Sequence, residues 1–94
     1  MTSSSRKALF RTTRFSRDLK SLPDHVKSEA FRTAQKLCDD IFQQELNVRP
    51  LTGLKGYYRV AVAKEYRLIF SYDEKAIYLR RIGHRKDIYR NLEI

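Results

Sequence analysis

The spacing of apolar residues changes once along this chain of 94 residues, and that change limits what it can fold into. Between residues 23 and 46, apolar side chains recur every three or four residues, the period of one helix face. After residue 56 the period falls to two, which is typical of strands. The sequence therefore predicts helices followed by a sheet, an α+β fold. The helical stripe runs through Val26, Ala30, Ala34, Leu37, Cys38, Ile41 and Glu45, with Phe31 and Phe42 widening it.

The second half of the chain contains three short β-type runs. The segment NVRPLTGLKG at residues 47–56 breaks the helical pattern with proline and glycine. The runs follow at residues 57–63, 66–72 and 76–82, and such tight connections predict an antiparallel meander. We expect Tyr66, Leu68, Phe70 and Tyr72 to face the helices and Arg67 to face the other way.

The first half predicts a leading strand and a helical hairpin. Residues 7–13 form a short β-prone run, and Ser16 is the predicted cap of a first helix, with Phe15 ahead of it as a hydrophobic staple. Pro23 ends that helix and begins the longer one. We expect residues 1–94 to form one domain with residues 1–5 frayed.

The charge balance predicts a polyanionic partner. The chain has 20 Lys and Arg against 11 Asp and Glu, a formal net charge of +9. Nucleic acid, a ribosome, an acidic protein and an anionic membrane all fit that charge. The apolar runs are too short to span a membrane, and the first residues lack the apolar core of a secretory signal. One cysteine and two histidines predict no disulfide, metal or cofactor. We therefore expect a reduced, cytoplasmic protein that does not bind membranes.

Basic and aromatic residues are interleaved in the predicted sheet. Arginine binds phosphate through two hydrogen bonds and stays charged, and tyrosines beside it can stack on unpaired RNA bases. The alternative is an ordinary solvated strand face. The residues concerned are Arg59, Lys64, Arg67, Arg80, Arg81, Arg85, Lys86 and Arg90, with Tyr57, Tyr58, Tyr78 and Tyr89.

Two segments carry a family resemblance. LKGYYRV at residues 54–60 and EYRLIFSYDEKAIYLRRIGHRKDIYR at residues 65–90 resemble the RelE branch of the RelE/ParE toxin superfamily. The likeness extends over roughly residues 7 to 90, because the predicted order of strand, two helices and antiparallel sheet also matches. It implies a toxin of a type II toxin–antitoxin pair that cuts messenger RNA on the ribosome without a metal. It also implies a cognate antitoxin as partner.

The resemblance implies roles for particular positions. Arg67 matches the arginine that contacts the scissile phosphate, and Arg85 the basic residue beside the reacting phosphate. Tyr89 matches a tyrosine that stacks on a base or transfers a proton, and Arg59 matches a basic strand position. The stretch VAVA at residues 60–63 departs from relatives that carry more basic residues there, and only Lys64 follows it.

The sequence does not determine which side chains transfer the protons. RNA supplies its own nucleophile, the 2′-hydroxyl, so the protein must move two protons and stabilise charge on phosphorus. Histidine is the residue type most often used for proton transfer near neutral pH, but strand alternation separates His84 from Arg85 unless the strand ends at Gly83. Tyr89 and Lys64 need lowered pKa values to act as bases. The predicted catalytic set is Arg67, Arg85, Tyr89, Lys64 and His84, and the predicted RNA-binding set is Lys55, Arg59, Arg81, Lys86 and Arg90.

Two alternatives remain at this stage. A ParE-like inhibitor of DNA gyrase needs no RNA-cleaving residues, although Tyr89 and the GHRKD segment favour the RelE branch. A binding protein without activity of its own is favoured by the VAVA stretch. Cys38 lies on the apolar stripe and is predicted to be a core residue.

Overall fold

The computed structural model describes residues 6–90 and residue 92, so the predicted fraying of residues 1–5 lies outside it. The predicted α+β class is confirmed: a strand precedes two helices, and a sheet follows. The elements are β1 (Ala8–Arg11), α1 (Thr13–Lys20), α2 (Asp24–Asp39), a 3₁₀ turn (Gln44–Leu46), β2 (Arg49–Pro50), β3 (Tyr58–Val62), β4 (Tyr66–Tyr72) and β5 (Ala76–His84).

The described strands form one sheet in the order β1-β5-β4-β3-β2. Strands β3, β4 and β5 pair antiparallel through short turns, which confirms the predicted meander. Strand β1 pairs parallel with β5, from Ala8 opposite Ala76 to Arg11 opposite Leu79. Helix α1 therefore starts beside β5, at the point where β1 ends.

Both helices pack on one face of the sheet. Phe15 of α1 and Leu37 of α2 meet Val60, Leu68 and Ile77 of the sheet in one fully buried cluster. Removing a side chain of this size from water contributes about 1.5–3 kcal/mol. This cluster is the main core, and it leaves the opposite sheet face, called here the open face, for other uses.

Strand β4 shows the predicted alternation. Leu68 and Phe70 lie in the main core, with Tyr66 and Tyr72 packed against it. Ile69 instead belongs to a second cluster on the open face, with Leu51 and Ile88 buried and Leu54, Tyr57 and Leu92 packed around them. Arg67 shares the open face with Ile69.

Helix α2 is shorter than predicted. It ends at Asp39, because Asp40 adopts an extended backbone and the Gln43 amide donates to the carbonyls of Lys36 and Asp40, at 2.9 and 3.0 Å. The Asp40 N–H still completes the last helical bond to the Lys36 carbonyl at 3.0 Å, so the Gln43 side-chain amide is a second donor to that carbonyl and holds the chain where it leaves the helix. Glu45 leaves the stripe and pairs with Lys36 at 2.8 Å.

Phe31 and Phe42, which were expected to widen the apolar stripe of the helix, are exposed. Phe31 lies under the guanidinium of Arg11, and Phe42 packs edge-on against Tyr58 and Tyr72. Their rings cover the rim of the core and do not enter it.

The cap of α1 is Thr12, and the prediction of Ser16 was wrong. The Thr12 hydroxyl accepts a hydrogen bond from the backbone N–H of Phe15 at 3.1 Å. The helix therefore begins earlier, and Phe15 is a buried residue within it instead of a staple ahead of it. Helix α1 ends at Lys20, and Pro23 is the N-cap of α2.

One irregularity lies between β4 and β5. Ile69 pairs with Arg81 and Phe70 with Leu79, so Arg80 is the extra residue of a β-bulge. The bulge falls where β1 stops and α1 begins.

Among the described residues, no helix is long and apolar enough to cross a membrane.

Candidate active site

A cavity of about 640 Å³ opens on the open face of the sheet. Its cationic wall comes from β3, β4 and the turn after β5, and its apolar wall from the segment 51–54 and the C-terminal part of the chain. The lining residues are Leu51, Thr52, Leu54, Arg59, Arg67, Arg85, Tyr89 and Leu92. The predicted Arg59, Arg67, Arg85 and Tyr89 therefore meet in one space.

Strand register brings Arg59 and Arg67 together. Ala61 lies directly opposite Arg67 and Arg59 opposite Ile69, so the two arginines are diagonal neighbours on the same face. The fold explains why the VAVA stretch is apolar, because Val60 and Val62 are buried in the main core. Ala61 is the exposed strand position between them.

The Arg67 guanidinium is fixed by the turn that joins β3 to β4. It donates to the carbonyl oxygens of Lys64 at 2.8 Å and Tyr66 at 2.9 Å. Ala63 and Lys64 in that turn have φ values of 49° and 64°, a left-handed conformation that is unfavourable for residues with a Cβ. Arg67 thus both lines the cavity and stabilises an unfavourable turn.

Arg85 is held by Glu65, a residue that the sequence did not indicate. The Arg85 backbone N–H donates to the Glu65 carbonyl at 2.8 Å, and its Nε lies 3.2 Å from the Glu65 Oε1. Both side chains are half-exposed, so solvent weakens the ion pair. Only the register that sets Tyr66 opposite His84 could have revealed this contact.

Tyr89 is positioned by the turns that follow β5. The N–H groups of Asp87 and Ile88 both donate to the His84 carbonyl at 2.9 Å. The Ile88 side chain then packs tightly over Gly83, where a Cβ would lie 3.1 Å from the Ile88 Cδ1. Ile88 is buried by this contact, while the neighbouring Tyr89 is left with its ring partly exposed in the cavity.

His84 lies outside this cavity. Strand β5 continues through Gly83 to His84, so alternation places His84 and Arg85 on different sides, and His84 lines a separate cavity with Asp18 and Tyr66. Its Nδ1 accepts the Lys86 N–H at 3.1 Å, and its Nε2 lies 3.8 Å from the Glu65 Oε1. His84 and Arg85 therefore share Glu65 as a neighbour from opposite sides.

The other predicted site residues do not line the cavity. Arg81 forms an ion pair with Asp18 of α1 at 2.6 Å, and both side chains are largely buried. Lys64 contributes its carbonyl to Arg67, while its side chain is on the exposed turn. Lys55, Lys86 and Arg90 are exposed in turns, and none of them is among the residues that line the cavity.

The tyrosines divide between the two faces of the sheet. Tyr58 packs on Phe70 against the main core, at 5.9 Å between ring centroids, so it is unavailable for the predicted stacking on RNA. Tyr57 packs on the second cluster, on the open face.

Cys38 is buried as predicted, and burial raises the pKa of its thiol.

Among residues 6–90 and 92, no group of three or more His, Cys, Asp or Glu side chains is arranged to hold a metal ion. The charge of the cavity comes from the guanidinium groups of Arg59, Arg67 and Arg85. Guanidinium groups around one space suit an anionic group such as a phosphate.

This chain has the architecture of the small RelE/ParE-type toxins: a strand, a helical hairpin and an antiparallel sheet, with arginines on the open face. A profile of the family described as "ParE toxin of type II toxin-antitoxin system, parDE" matches residues 9–89. Toxin RelE3 of Methanocaldococcus jannaschii is 31% identical over 85 residues, covering 88% of this chain and 94% of that protein.

Solved structures agree with this class. The toxin in the RelB–RelE antitoxin–toxin complex from Methanococcus jannaschii is 26% identical, with a TM-score of 0.69, over 89% of this chain and 99% of that chain. A chain of the toxin–antitoxin complex RelBE2 from Mycobacterium tuberculosis shares the fold, with 23% identity and a TM-score of 0.74, over 93% of this chain and 100% of that chain. The chain belongs to the RelE/ParE superfamily of type II toxins, in its RelE-like branch.

Proposed function

We propose that this toxin is an endoribonuclease that cuts messenger RNA, on the ribosome, by attack of the 2′-hydroxyl on the adjacent phosphate. The observation that carries the proposal is the cavity shared by Arg59, Arg67, Arg85 and Tyr89. Three guanidinium groups around one space suit a phosphate whose negative charge increases in the transition state.

The proposed reaction requires no nucleophile from the protein. The 2′-oxygen bonds to phosphorus and loses its proton, the bond to the 5′-oxygen breaks, and that oxygen gains a proton. The products are a 2′,3′-cyclic phosphate and a free 5′-hydroxyl. Arg67 and Arg85 stabilise the phosphorane charge, and Tyr89 stacks on a base or transfers a proton at the cavity wall.

Arg67 and Arg85 provide the test. Each change to Ala should lower the rate of cleavage by roughly 10²-fold or more, since preorganised charge acts chiefly on the transition state. Arg32→Ala is the matched control, because Arg32 lies on α2 and pairs with Glu29 at 2.8 Å. Primer extension on translating ribosomes measures the cleavage. Near-normal cleavage by both site variants would contradict the assignment.

Arg67→Lys tests whether cleavage depends on the positive charge of Arg67 or on its hydrogen bonds to the turn. Arg67→Ala removes both the cavity charge and the two bonds to the turn carbonyls, whereas Lys keeps the charge. We expect Arg67→Lys to recover part of the lost rate. Thermal melts of both variants report whether the turn itself is destabilised.

A second candidate function follows from the family profile, whose description names a ParE toxin. The ParE branch implies inhibition of DNA gyrase, which needs no arginine-lined cavity. A supercoiling assay with purified gyrase distinguishes the two functions. Gyrase inhibition without RNA cleavage would favour this second candidate.

We also propose an antitoxin partner. The structures similar to this chain include two complexes of a toxin with an antitoxin. A protein of net charge +9 fits an acidic or mixed-charge segment that covers its basic face. Growth arrest on expression, relieved by co-expression of the cognate antitoxin, is the expected result.

A further inference from the structure

A row of stacked side chains crosses the open face of the sheet, and its members are not among the residues that line the cavity. Phe10 of β1 stacks on Tyr78 of β5, with ring centroids 5.8 Å apart and planes 15° apart. The Arg80 guanidinium lies 5.7 Å from the Tyr78 ring centroid and 5.6 Å from that of Tyr57. We call Phe10, Tyr78, Arg80 and Tyr57 the stacking row.

The stacking row is held in place by bonds from neighbouring strands. Arg80 is the bulge residue of β5, and its Nε donates to the Ser71 hydroxyl at 3.1 Å. The Tyr78 hydroxyl donates to Asp73 at 2.9 Å. Fixed rings lose little conformational entropy when another flat group stacks on them.

One end of the row is open and the other meets the cavity. The Phe10 side of the row is exposed to solvent, with 56% of that residue accessible, which is unusual for a phenylalanine. At the other end Tyr57 packs on the second cluster, whose Leu51, Leu54 and Leu92 also line the candidate active site. The row and the cavity are therefore continuous across one sheet face.

A second cationic depression adjoins the row. It measures about 480 Å³ and is lined by Thr12, Thr13, Arg14, Arg17 and Arg80. Arg80 belongs both to this depression and to the row, so the two meet at this residue, where β1 ends and α1 begins. Charged residues near aromatic rings favour RNA over an apolar protein segment, since bases stack while phosphates pair with arginine.

We infer that the stacking row and the Arg14–Arg17–Arg80 depression form a second RNA-binding surface that holds the single-stranded nucleotides flanking the cleaved bond. The inference rests on the proposed function, because it assumes that the cavity takes RNA. The strand runs from the arginines of the cavity, over Tyr57 and Arg80, towards Phe10. Bases stack on the row, and phosphates contact Arg14 and Arg17.

The test compares RNA of two lengths. Fluorescence anisotropy measures the affinity of the full chain for 2′-O-methylated RNA of about four and about twelve nucleotides, because 2′-O-methyl groups block the proposed cleavage. Phe10→Ala should weaken binding of the long RNA by about 10-fold, the usual effect of one stacked base. Binding of the short RNA, which fills only the cavity, should not change.

Arginine variants identify the phosphate contacts. Arg14→Ala/Arg17→Ala should reduce the dependence of log affinity on log salt by roughly 1.4 for the long RNA, about 0.7 for each lost contact. Lys27→Ala/Arg32→Ala removes two charges from α2 and is the control; it should leave the slope for the long RNA close to that of the wild type. Phe10→Ala should leave the slope unchanged, since it removes no charge.

Two results would overturn the inference. Wild-type protein that binds long and short RNA equally well uses no second surface. Unchanged long-RNA affinity in both Phe10→Ala and Arg14→Ala/Arg17→Ala would show that neither the row nor the depression holds RNA. Cleavage by the wild type is measured separately, so failure of this surface is distinguishable from failure of the proposed activity.

Discussion

Single residues in the turn at 63–65 determine how the arginines of the cavity are presented. Arg67 bonds to the carbonyl of Lys64, and Arg85 bonds to both the carbonyl and the carboxylate of Glu65. The resemblance identified Arg67 and Arg85 from the motifs around them. It could not identify Glu65, because that contact depends on strand register and on how far β5 extends.

If Arg85 binds phosphate as proposed, Glu65 competes with that phosphate for the Arg85 guanidinium. Glu65→Gln should therefore tighten binding of 2′-O-methylated RNA by roughly 2- to 5-fold, in line with the modest strength of exposed ion pairs. Glu74→Gln removes the same charge from the exposed β4–β5 turn and is the control. Equal affinities for the two variants would show that Glu65 does not oppose the phosphate at Arg85.

The left-handed backbone at Ala63 is open to a stability test. Ala63→Gly should stabilise the fold by about 0.5–1 kcal/mol, since glycine adopts a φ of 49° without steric cost. Ala61→Gly is the matched control on β3, where the same change should destabilise by about 0.5–1 kcal/mol. Urea unfolding measures both. A loss of stability in Ala63→Gly as large as that in Ala61→Gly would mean that the turn carries no strain.

At the level of elements, the period of the apolar residues correctly predicted which faces of the helices and strands pack together. The residues at which helices begin and end depended on local contacts that the period does not show. The alternation in β4 correctly assigned Leu68 and Phe70 to the core and Arg67 to the open face. Thr12 replaced Ser16 as the cap because β1 ends at Arg11 and α1 starts at once. Charge could not distinguish Arg81, which pairs with Asp18, from arginines that face solvent.

Asp18 joins α1 to β5. Its carboxylate accepts bonds from the Arg81 side chain at 2.6 Å and from the Ile82 backbone N–H at 3.1 Å. Asp18→Ala should lower the free energy of unfolding by about 1.5–3 kcal/mol, the range for hydrogen bonds to a charged group. Asp24→Ala, at an exposed position of α2, should lose less than about 1 kcal/mol. Similar losses in denaturant unfolding would contradict this role.

The β4–β5 turn should give the fold an acid-sensitive contact. The N–H groups of Lys75 and Ala76 and the Tyr78 hydroxyl donate to Asp73 and lower the pKa of its carboxyl. The stabilising contribution is therefore present above the ordinary pKa of 3.8 and disappears as pH falls through the lowered value. Asp73→Ala should lower the melting temperature at about pH 7, and this loss should shrink as the pH falls below 3.8. Glu74→Ala is the control, and a loss for Asp73→Ala that stays the same as the pH falls would contradict the linkage.

For the whole molecule, part of the positive charge behind the net charge of +9 lies on one face of the sheet. The helices cover one sheet face, and the open face carries the cavity arginines and the stacking row. The sequence predicted the sheet and most of the cationic wall. It could not predict the apolar wall, because Leu51, Leu54 and Leu92 come from segments without a regular period that meet only through the second cluster.

The end groups of cleaved RNA are the most direct evidence for or against the proposed cleavage. Purified wild-type protein is incubated with translating ribosomes, and the new RNA ends are mapped by primer extension and labelled by polynucleotide kinase. We expect discrete cuts whose downstream fragments carry a 5′-hydroxyl and accept label without prior phosphatase treatment, and we expect these cuts to be lost in Arg67→Ala. No new ends, or ends that persist unchanged in Arg67→Ala and Arg85→Ala, would contradict it.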